Sequence, residues 1–347
     1  MTAMKDATLR DVAAHAGVSI KTASRVLNDD PRVADGTRAS VTASMVALAY
    51  QPDPTARSLR AGRDRTVGVV VESIGDVFVA ALVAQIERLL AEAGYQVLVA
   101  SSYRELERER SIVSNFVQRR CAGLIVMPSS LDALQGMPLR GLPVVFVDRE
   151  GSAPGSQSVI VNDRDLARVA TSHLIAQGHR RIALMSDALV VDTTRHRHEG
   201  YLDALRDAGI ESDPELIRDD CIDEPRVFSV LDEVFALDEP PTAIFSANTR
   251  VSLGIVPGLH VAGRTDMALV AFGDFPMAAS LKPAVTVIDH SPARIGEVAA
   301  RTLLARLIEP SDQLQGGPVI TVPAHLIERG SGEIPAEPRS RSPRVRR

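Results

Sequence analysis

The stretch from Thr8 to Asn28, TLRDVAAHAGVSIKTASRVLN, constrains the fold more than any other part of the chain. Leu9, Val12, Ala13 and Ala16 recur at i, i+3, i+4 and i+7, the spacing of one apolar helix face. Thr8 can cap the start of this helix, and Asp11 stands where a capping-box acid reaches back. Gly17 ends it, because glycine enters a left-handed turn without steric cost. Ser19 can cap a second helix at once. There Ala23, Val26 and Leu27 lie on one side and Lys21, Arg25 and Asn28 on the other. A small apolar seam beneath a polar, cationic face is the pattern of a helix-turn-helix whose second helix enters the DNA major groove.

A third helix is expected from about Asp35, with Val41, Met45 and Leu48 as its buried stripe closing a three-helix head. Asp53-Pro54 then reads as an N-cap followed by proline at the first helical position, opening a short helix from Pro54 to Leu59. LRDVAAHAGVSIKTASRVLN, followed by VADGTRASV, ALAYQPD and ARSLRAG, resembles the lactose-repressor (LacI/GalR) family of bacterial transcription regulators. The ordered match covers about the first 60 residues, and a looser one continues to about residue 329.

By this resemblance, Ile20, Lys21 and Arg25 are the base-contacting positions. Arginine forks onto guanine, lysine reaches guanine acceptors, and an aliphatic side chain touches a thymine methyl. Ser19, Thr22 and Asn28 are placed for phosphates, which position rather than specify. The same resemblance assigns DNA contacts to Thr8, Arg57 and Arg60. It also makes 54–59 a hinge helix, with Leu59 as the wedge that opens a central base step from the minor groove.

Charge supports a division of labour. The 347 residues carry a net charge of −5, yet residues 1–65 hold ten Lys/Arg against seven Asp, and residues 329–347 hold six Arg against two Glu. The remainder is therefore acidic, as suits a body that should avoid phosphates beside a basic DNA reader. No apolar run is long enough to span a membrane, and no export signal is read at the N-terminus. Cys121 and Cys221 stand alone, in no metal or redox motif, as suits a reducing cytoplasm and small buried side chains.

From Val67 onward, short aliphatic runs alternate with helical stretches: 67–71, 96–100, 123–127 and 144–147, then 158–161, 181–185, 243–245, 268–272, 285–288 and 319–322. The first four read as fully buried parallel strands, and strand and helix alternating twice over imply two doubly wound α/β lobes. The resemblance is to the periplasmic-binding-protein-like core of the family, whose chain crosses between lobes three times. The expected organisation is a helix-turn-helix head (1–52), a hinge and linker (53–65) and a two-lobed effector-binding and dimerisation domain (66–329). The first lobe takes 66–157 and 290–317, the second 158–289 and 318–329, and the last crossing is expected near Asp289. Residues 330–347, rich in Pro, Ser and Arg, are expected to be disordered.

Ligands of such folds sit beyond the strand C-termini, in the cleft between lobes. The family's pocket positions map onto Phe78 as an aromatic platform, Asp148 as an acid for ligand hydroxyls, Arg197 as a clamp, and Asn248. The family's F-D-D is here Phe272-Gly273-Asp274, so a usual ligand acid is glycine, and Asp274 is the candidate to replace it. Arg149, beside Asp148, suits a carboxylate or phosphate. No nucleophile–base set, P-loop or dinucleotide motif is present, and neither metal nor cofactor is expected. The expectation is a cytoplasmic, homodimeric, non-enzymatic regulator, a repressor that binds a pseudo-palindromic operator and responds to a small polar metabolite. A sugar or derivative ranks ahead of a nucleoside or an acidic metabolite. The alternative, a transporter's solute-binding protein, would need an export signal and no DNA-binding head.

Overall fold

The computed structural model describes residues 7–27, 29–50, 65–308 and 318–336. The chain divides into two compact units, Met1–Asp64 and Arg65–Arg347.

In the first unit, α1 (Leu9–His15), α2 (Ile20–Leu27) and α3 (Asp35–Ala47) form the expected head. The capping box is present at α1: the Asp11 amide donates to the Thr8 hydroxyl oxygen, and the Asp11 carboxylate accepts from the Thr8 amide at 2.8 Å. Gly17 takes φ +65°, the left-handed turn that separates the two helices. Val12, Ala13, Ala23, Val26 and Val41 make a small core that Leu9, Met45, Leu48 and Tyr50 extend. His15 and Ser44 meet at 3.0 Å, tying α1 to α3. The expected hinge helix lies outside the described residues.

The second unit has two six-stranded sheets. Its elements run β1 (Thr66–Val71), α4 (Val77–Glu92), β2 (Gln96–Ser101), α5 (Leu106–Gln118), β3 (Gly123–Val126), β4 (Val144–Val147), β5 (Gln157–Ile160), α6 (Asp163–Ala176), β6 (Ile182–Met185) and α7 (Asp192–Asp207). There follow β7 (Ile217–Arg218), α8 (Glu224–Phe235), β8 (Ala243–Ser246), α9 (Thr249–Val261), β9 (Ala268–Phe272), β10 (Thr286–Asp289), α10 (Pro292–Ile308), β11 (Val319–Thr321) and β12 (His325–Ile327). The first sheet has the order β11-β5-β4-β3-β1-β2 and is wholly parallel. The second, β12-β10-β9-β8-β6-β7, is parallel except where β12 pairs antiparallel with β10. All six positions of β1 are buried, as a strand covered by helices on both faces requires.

Several expectations need correction. The strand expected at 158–161 to open the second lobe is β5, which pairs with β4 and β11 in the first sheet. β11, also expected in the second lobe, completes that same sheet. The chain therefore crosses between lobes after β5, after β10 and between β11 and β12, so the crossing at Asp289 is not the last. Periodicity marks a strand but carries no information about which sheet accepts it. β2 was expected to be fully buried. It is an edge strand, with Leu98 and Val99 exposed. Helix α4 begins at Val77, where Asp76 caps it through the amides of Phe78 and Val79. The expected disorder from residue 330 fails for 330–336. The Ser331 hydroxyl donates to the Leu269 carbonyl at 2.6 Å, Glu333 accepts from the Thr286 hydroxyl at 2.8 Å, and the Ala336 amide donates to the Gln177 carbonyl. Composition misled there, because polar contacts to the body, with Ile334 packed against the core, anchor a segment with little apolar surface of its own.

Candidate functional site

On the head, α2 presents its polar face to solvent. Ile20 is 43% exposed, Lys21 is exposed, and the Arg25 side chain is 48% exposed with Asp30 at 3.8 Å. Asp30 is more firmly held by Arg32, whose guanidinium and backbone hydrogen bonds push its carboxyl far below the usual range. Arg25 is therefore only loosely engaged and can extend. Ser19 caps α2: its hydroxyl accepts from the Thr22 amide at 3.0 Å and lies 2.8 Å from the Thr22 hydroxyl. Thr8 is committed to its own cap. Both caps belong to the helices first, so their DNA contacts would be made by groups already fixed in place. Asn28, Arg57, Leu59 and Arg60 lie outside the described residues.

In the second unit, the C-terminal ends of the parallel strands deliver the charged side chains of a cleft between the lobes. From the first lobe come Glu72 after β1, Arg104 after β2, and Asp148 and Arg149 after β4. From the second come Asp187 after β6, Arg197 on α7, Asn248 to Arg250 at the start of α9, and Phe272 ending β9. His290 stands at the crossing after β10. These groups enclose a cavity of about 70 Å³. A second cavity of about 260 Å³, lined by Ser73, Gly75, Val77 and Leu253, shares Glu72, Asp76, Thr249 and Arg250 with it.

Ion pairs run across the cleft. One terminal nitrogen of Arg104 lies 2.7 Å from Glu72 and 2.7 Å from Asp187, joining the lobes. Asp187 also accepts from Arg250 at 2.6 Å, from the Thr194 hydroxyl at 2.6 Å and from the Asn248 amide at 3.0 Å. Burial disfavours the charged forms of Glu72 and Asp187, but the arginine contacts outweigh it and hold both carboxyls below their usual range. Arg149 donates to the Pro128 carbonyl at 3.0 Å and to Glu72 at 2.7 Å, and its Nε lies 3.4 Å from Asp148. Asp148, at φ +68°, is buried, and burial raises its carboxyl to about 6 despite Arg149 and Arg197.

The expected effector residues are gathered with one exception. Phe78 lines the cleft, but one face is already covered by His290, parallel to it at 4.7 Å. Burial, helped by Arg197, lowers His290 to about 3, so the ring is neutral. Arg197 lines the cavity yet is first a structural group: it donates to buried Asp163 at 2.7 Å and to the Ala247 carbonyl at 2.7 Å, and stacks 3.8 Å over the Phe272 ring. Asn248 caps α9 through the Val251 amide at 2.9 Å, so both of its polar ends are engaged. Asp274 is the exception. It faces away from the cavity, held by both terminal nitrogens of Arg329 at 2.8 and 2.6 Å. Nor can an acid stand at Gly273, where a Cβ would collide with the Thr249 hydroxyl and press on His290.

Sequence reasoning missed Glu72, Arg104, Asp187, Arg250 and His290. Glu72 and Asp187 carried a usable signal, since each is a carboxylate placed just past a buried strand, as Asp148 is. Arg104 and Arg250 carried none, because their role depends on how the lobes face each other. Among the described residues, no group of three or more His, Cys, Asp or Glu could hold a metal ion. Both cysteines are buried, and burial pushes the Cys221 thiol up to about 12. No described helix is long and apolar enough to cross a membrane.

A three-helix DNA-reading head and a two-lobed α/β body with a polar cleft define a ligand-responsive transcription regulator. Comparison with known proteins places it within that class. Residues 8–53 match the family of bacterial regulatory proteins of the LacI type, and residues 64–315 match the periplasmic binding proteins and sugar-binding domain of the LacI family. The chain is 31% identical over 333 residues to the HTH-type transcriptional repressor PurR of Serratia proteamaculans, covering 94% of this chain and 96% of that one. It resembles the lac repressor dimer bound to operator and the anti-inducer ONPF, with a TM-score of 0.78 and 27% identity over 94% of this chain and 99% of that one. It also resembles the transcriptional regulator CelR in complex with cellobiose, with a TM-score of 0.66 and 26% identity over 94% of this chain and 100% of that one. The chain belongs to the LacI family. It is a transcriptional repressor with an effector-binding domain, not an enzyme.

Proposed function

We propose that this repressor works in the cytoplasm as a homodimer on a pseudo-palindromic operator and is controlled by a small polar metabolite, a sugar or sugar derivative, bound between its lobes. The observation that carries the reading is Arg104, which ties Glu72 of the first lobe to Asp187 of the second at 2.7 Å each. A ligand entering there must rearrange contacts between the lobes, and a change in their relative position is what an allosteric signal to the head requires. The sugar preference draws on the matched sugar-binding domain and on the relative seen with cellobiose. On the head, Ile20, Lys21 and Arg25 are exposed together on α2, as base reading requires. Ser19 and Thr22 would add phosphate contacts. Leu59, with Arg57 and Arg60, would form the minor-groove wedge.

Selection of binding sequences from random duplex DNA, with the mass of the complex measured by ultracentrifugation, tests the reading. Two symmetric half-sites bound by two chains are the expected result. A single asymmetric site bound by one chain would overturn the dimeric reading. Leu59→Ala should weaken selected sites while sparing salt-sensitive non-specific binding. Unchanged affinity and DNA bending would remove the wedge.

A further inference from the structure

Within the cleft, the guanidinium groups are under-supplied with acceptors. Arg104, Arg149 and Arg250 share two ionised carboxylates, Glu72 and Asp187. The third acid nearby, Asp148, lies 3.4 Å from Arg149 without forming a hydrogen bond to it. Of the other charged groups, Arg197 is paired with Asp163, and the Asp76 carboxylate accepts from the Phe78 and Val79 amides that it caps rather than from an arginine. The Nε atoms of Arg104 and Arg149 are both buried and have no hydrogen-bond acceptor among the described residues. A buried donor without an acceptor is costly, and for a guanidinium the cost is greater than for a neutral group. Arg149 itself is only 6% exposed, so water does not readily supply what the protein omits.

The two cavities differ in the same sense. The inner one, of about 70 Å³, has room for a few water-sized groups and is lined by all four arginines, Arg104, Arg149, Arg197 and Arg250. The outer one, of about 260 Å³, takes only Arg250 from that set, beside the acids Glu72 and Asp76, and is otherwise walled by small and aliphatic residues. A compact anionic group fits the first chamber, and an uncharged body fits the second.

We infer that the effector carries an oxyanion, a carboxylate or a phosphate, seated in the inner cavity between Arg104, Arg149 and Arg250, with the rest of the molecule in the outer cavity. This rests on the effector-controlled repressor proposed above and narrows its ligand to the acidic derivatives. Planar forks of N–H donors match the oxygens of either group. The anion supplies the missing acceptors, and it takes over part of the role by which Glu72 and Asp187 hold the lobes together through Arg104.

Thermal unfolding of the full chain tests this with inorganic phosphate and acetate, titrated against chloride at constant ionic strength. A saturable rise in Tm is expected for the wild type, with at least a tenfold weaker apparent Kd in both Arg104→Gln and Arg250→Gln. Each variant leaves Asp187 the other arginine, so the two need not fail together. No rise, or a rise that persists in both variants, would overturn the inference. A second panel compares neutral hexoses and nucleosides with hexuronates, hexose phosphates and nucleoside monophosphates, reading both Tm and operator affinity. A response to hexuronates alone identifies a carboxylate, and one to phosphate esters alone a phosphate. A response to neutral compounds alone removes the oxyanion but keeps the effector-controlled repressor. If no compound of either kind alters operator affinity, both readings fall.

Discussion

The α2 face of the head and the cleft between the lobes both rely on arginine, under opposite conditions. Arg25 stands about half exposed, with its nearest carboxylate at 3.8 Å. Arg149 and Arg197 are each 6% exposed and held within 2.7 Å of a carboxylate. A solvated charge costs nothing to keep waiting for a partner, so a surface arginine can be reserved wholly for DNA. A buried charge must be paired within its own chain, so a cleft arginine serves the fold and the ligand together. Substitutions on α2 should therefore change binding and spare stability, whereas those in the cleft should change both.

The largest effect that could break this contrast is at Arg197. Arg197→Ala leaves Asp163 buried without its partner and is expected to lower unfolding free energy by about 3–5 kcal/mol. Denaturant unfolding checks it, and a loss below about 1 kcal/mol would mean that the pair is solvated and that Arg197 is reserved for ligand after all.

Next comes Asp148, where the sign reverses. Burial raises its carboxyl from 3.8 to about 6, so the folded protein binds this proton more tightly than the unfolded chain. The resulting stability is present at about pH 4 and lost as pH rises through 6. Asp148→Asn abolishes that loss and is expected to stabilise the protein by about 3 kcal/mol at pH 8, and not at pH 4. Asparagine tolerates the positive φ of this position, so the backbone is undisturbed. Tm measured across pH for both proteins decides it, and a pH-independent difference would refute it.

Smaller effects belong to the head. Arg25→Ala should cost about 1–3 kcal/mol of operator affinity and relax preference at one base per half-site, with Tm unchanged. Equal loss on all sequences, read by competition binding, would make Arg25 a phosphate contact. Thr8→Ala removes the α1 cap and should lower head stability by about 1 kcal/mol. A Tm unchanged within error would show that the Asp11 side chain suffices alone.

What was legible in the sequence was local. The three head helices, the capping box, the Gly17 turn and most strands of the body follow from periodicity and caps, because a helix or buried strand chooses its residues from near neighbours. The ends of buried strands were legible too: Asp148, assigned to the cleft through the family resemblance, follows β4 and lines the cavity. What depended on long-range packing was not. β5 and β11 joined the first sheet because that sheet had an open edge to accept them, which no pattern within either strand records. Asp274 left the cleft because Arg329, far along the chain, captured it. Arg104 became the tie between lobes only because Glu72 and Asp187 were brought to either side of it. Sequence alone determined which elements form and which family they belong to. Tertiary structure alone decided which charges meet, since the energy of an ion pair depends on distance and burial that separate segments acquire only once they are packed together.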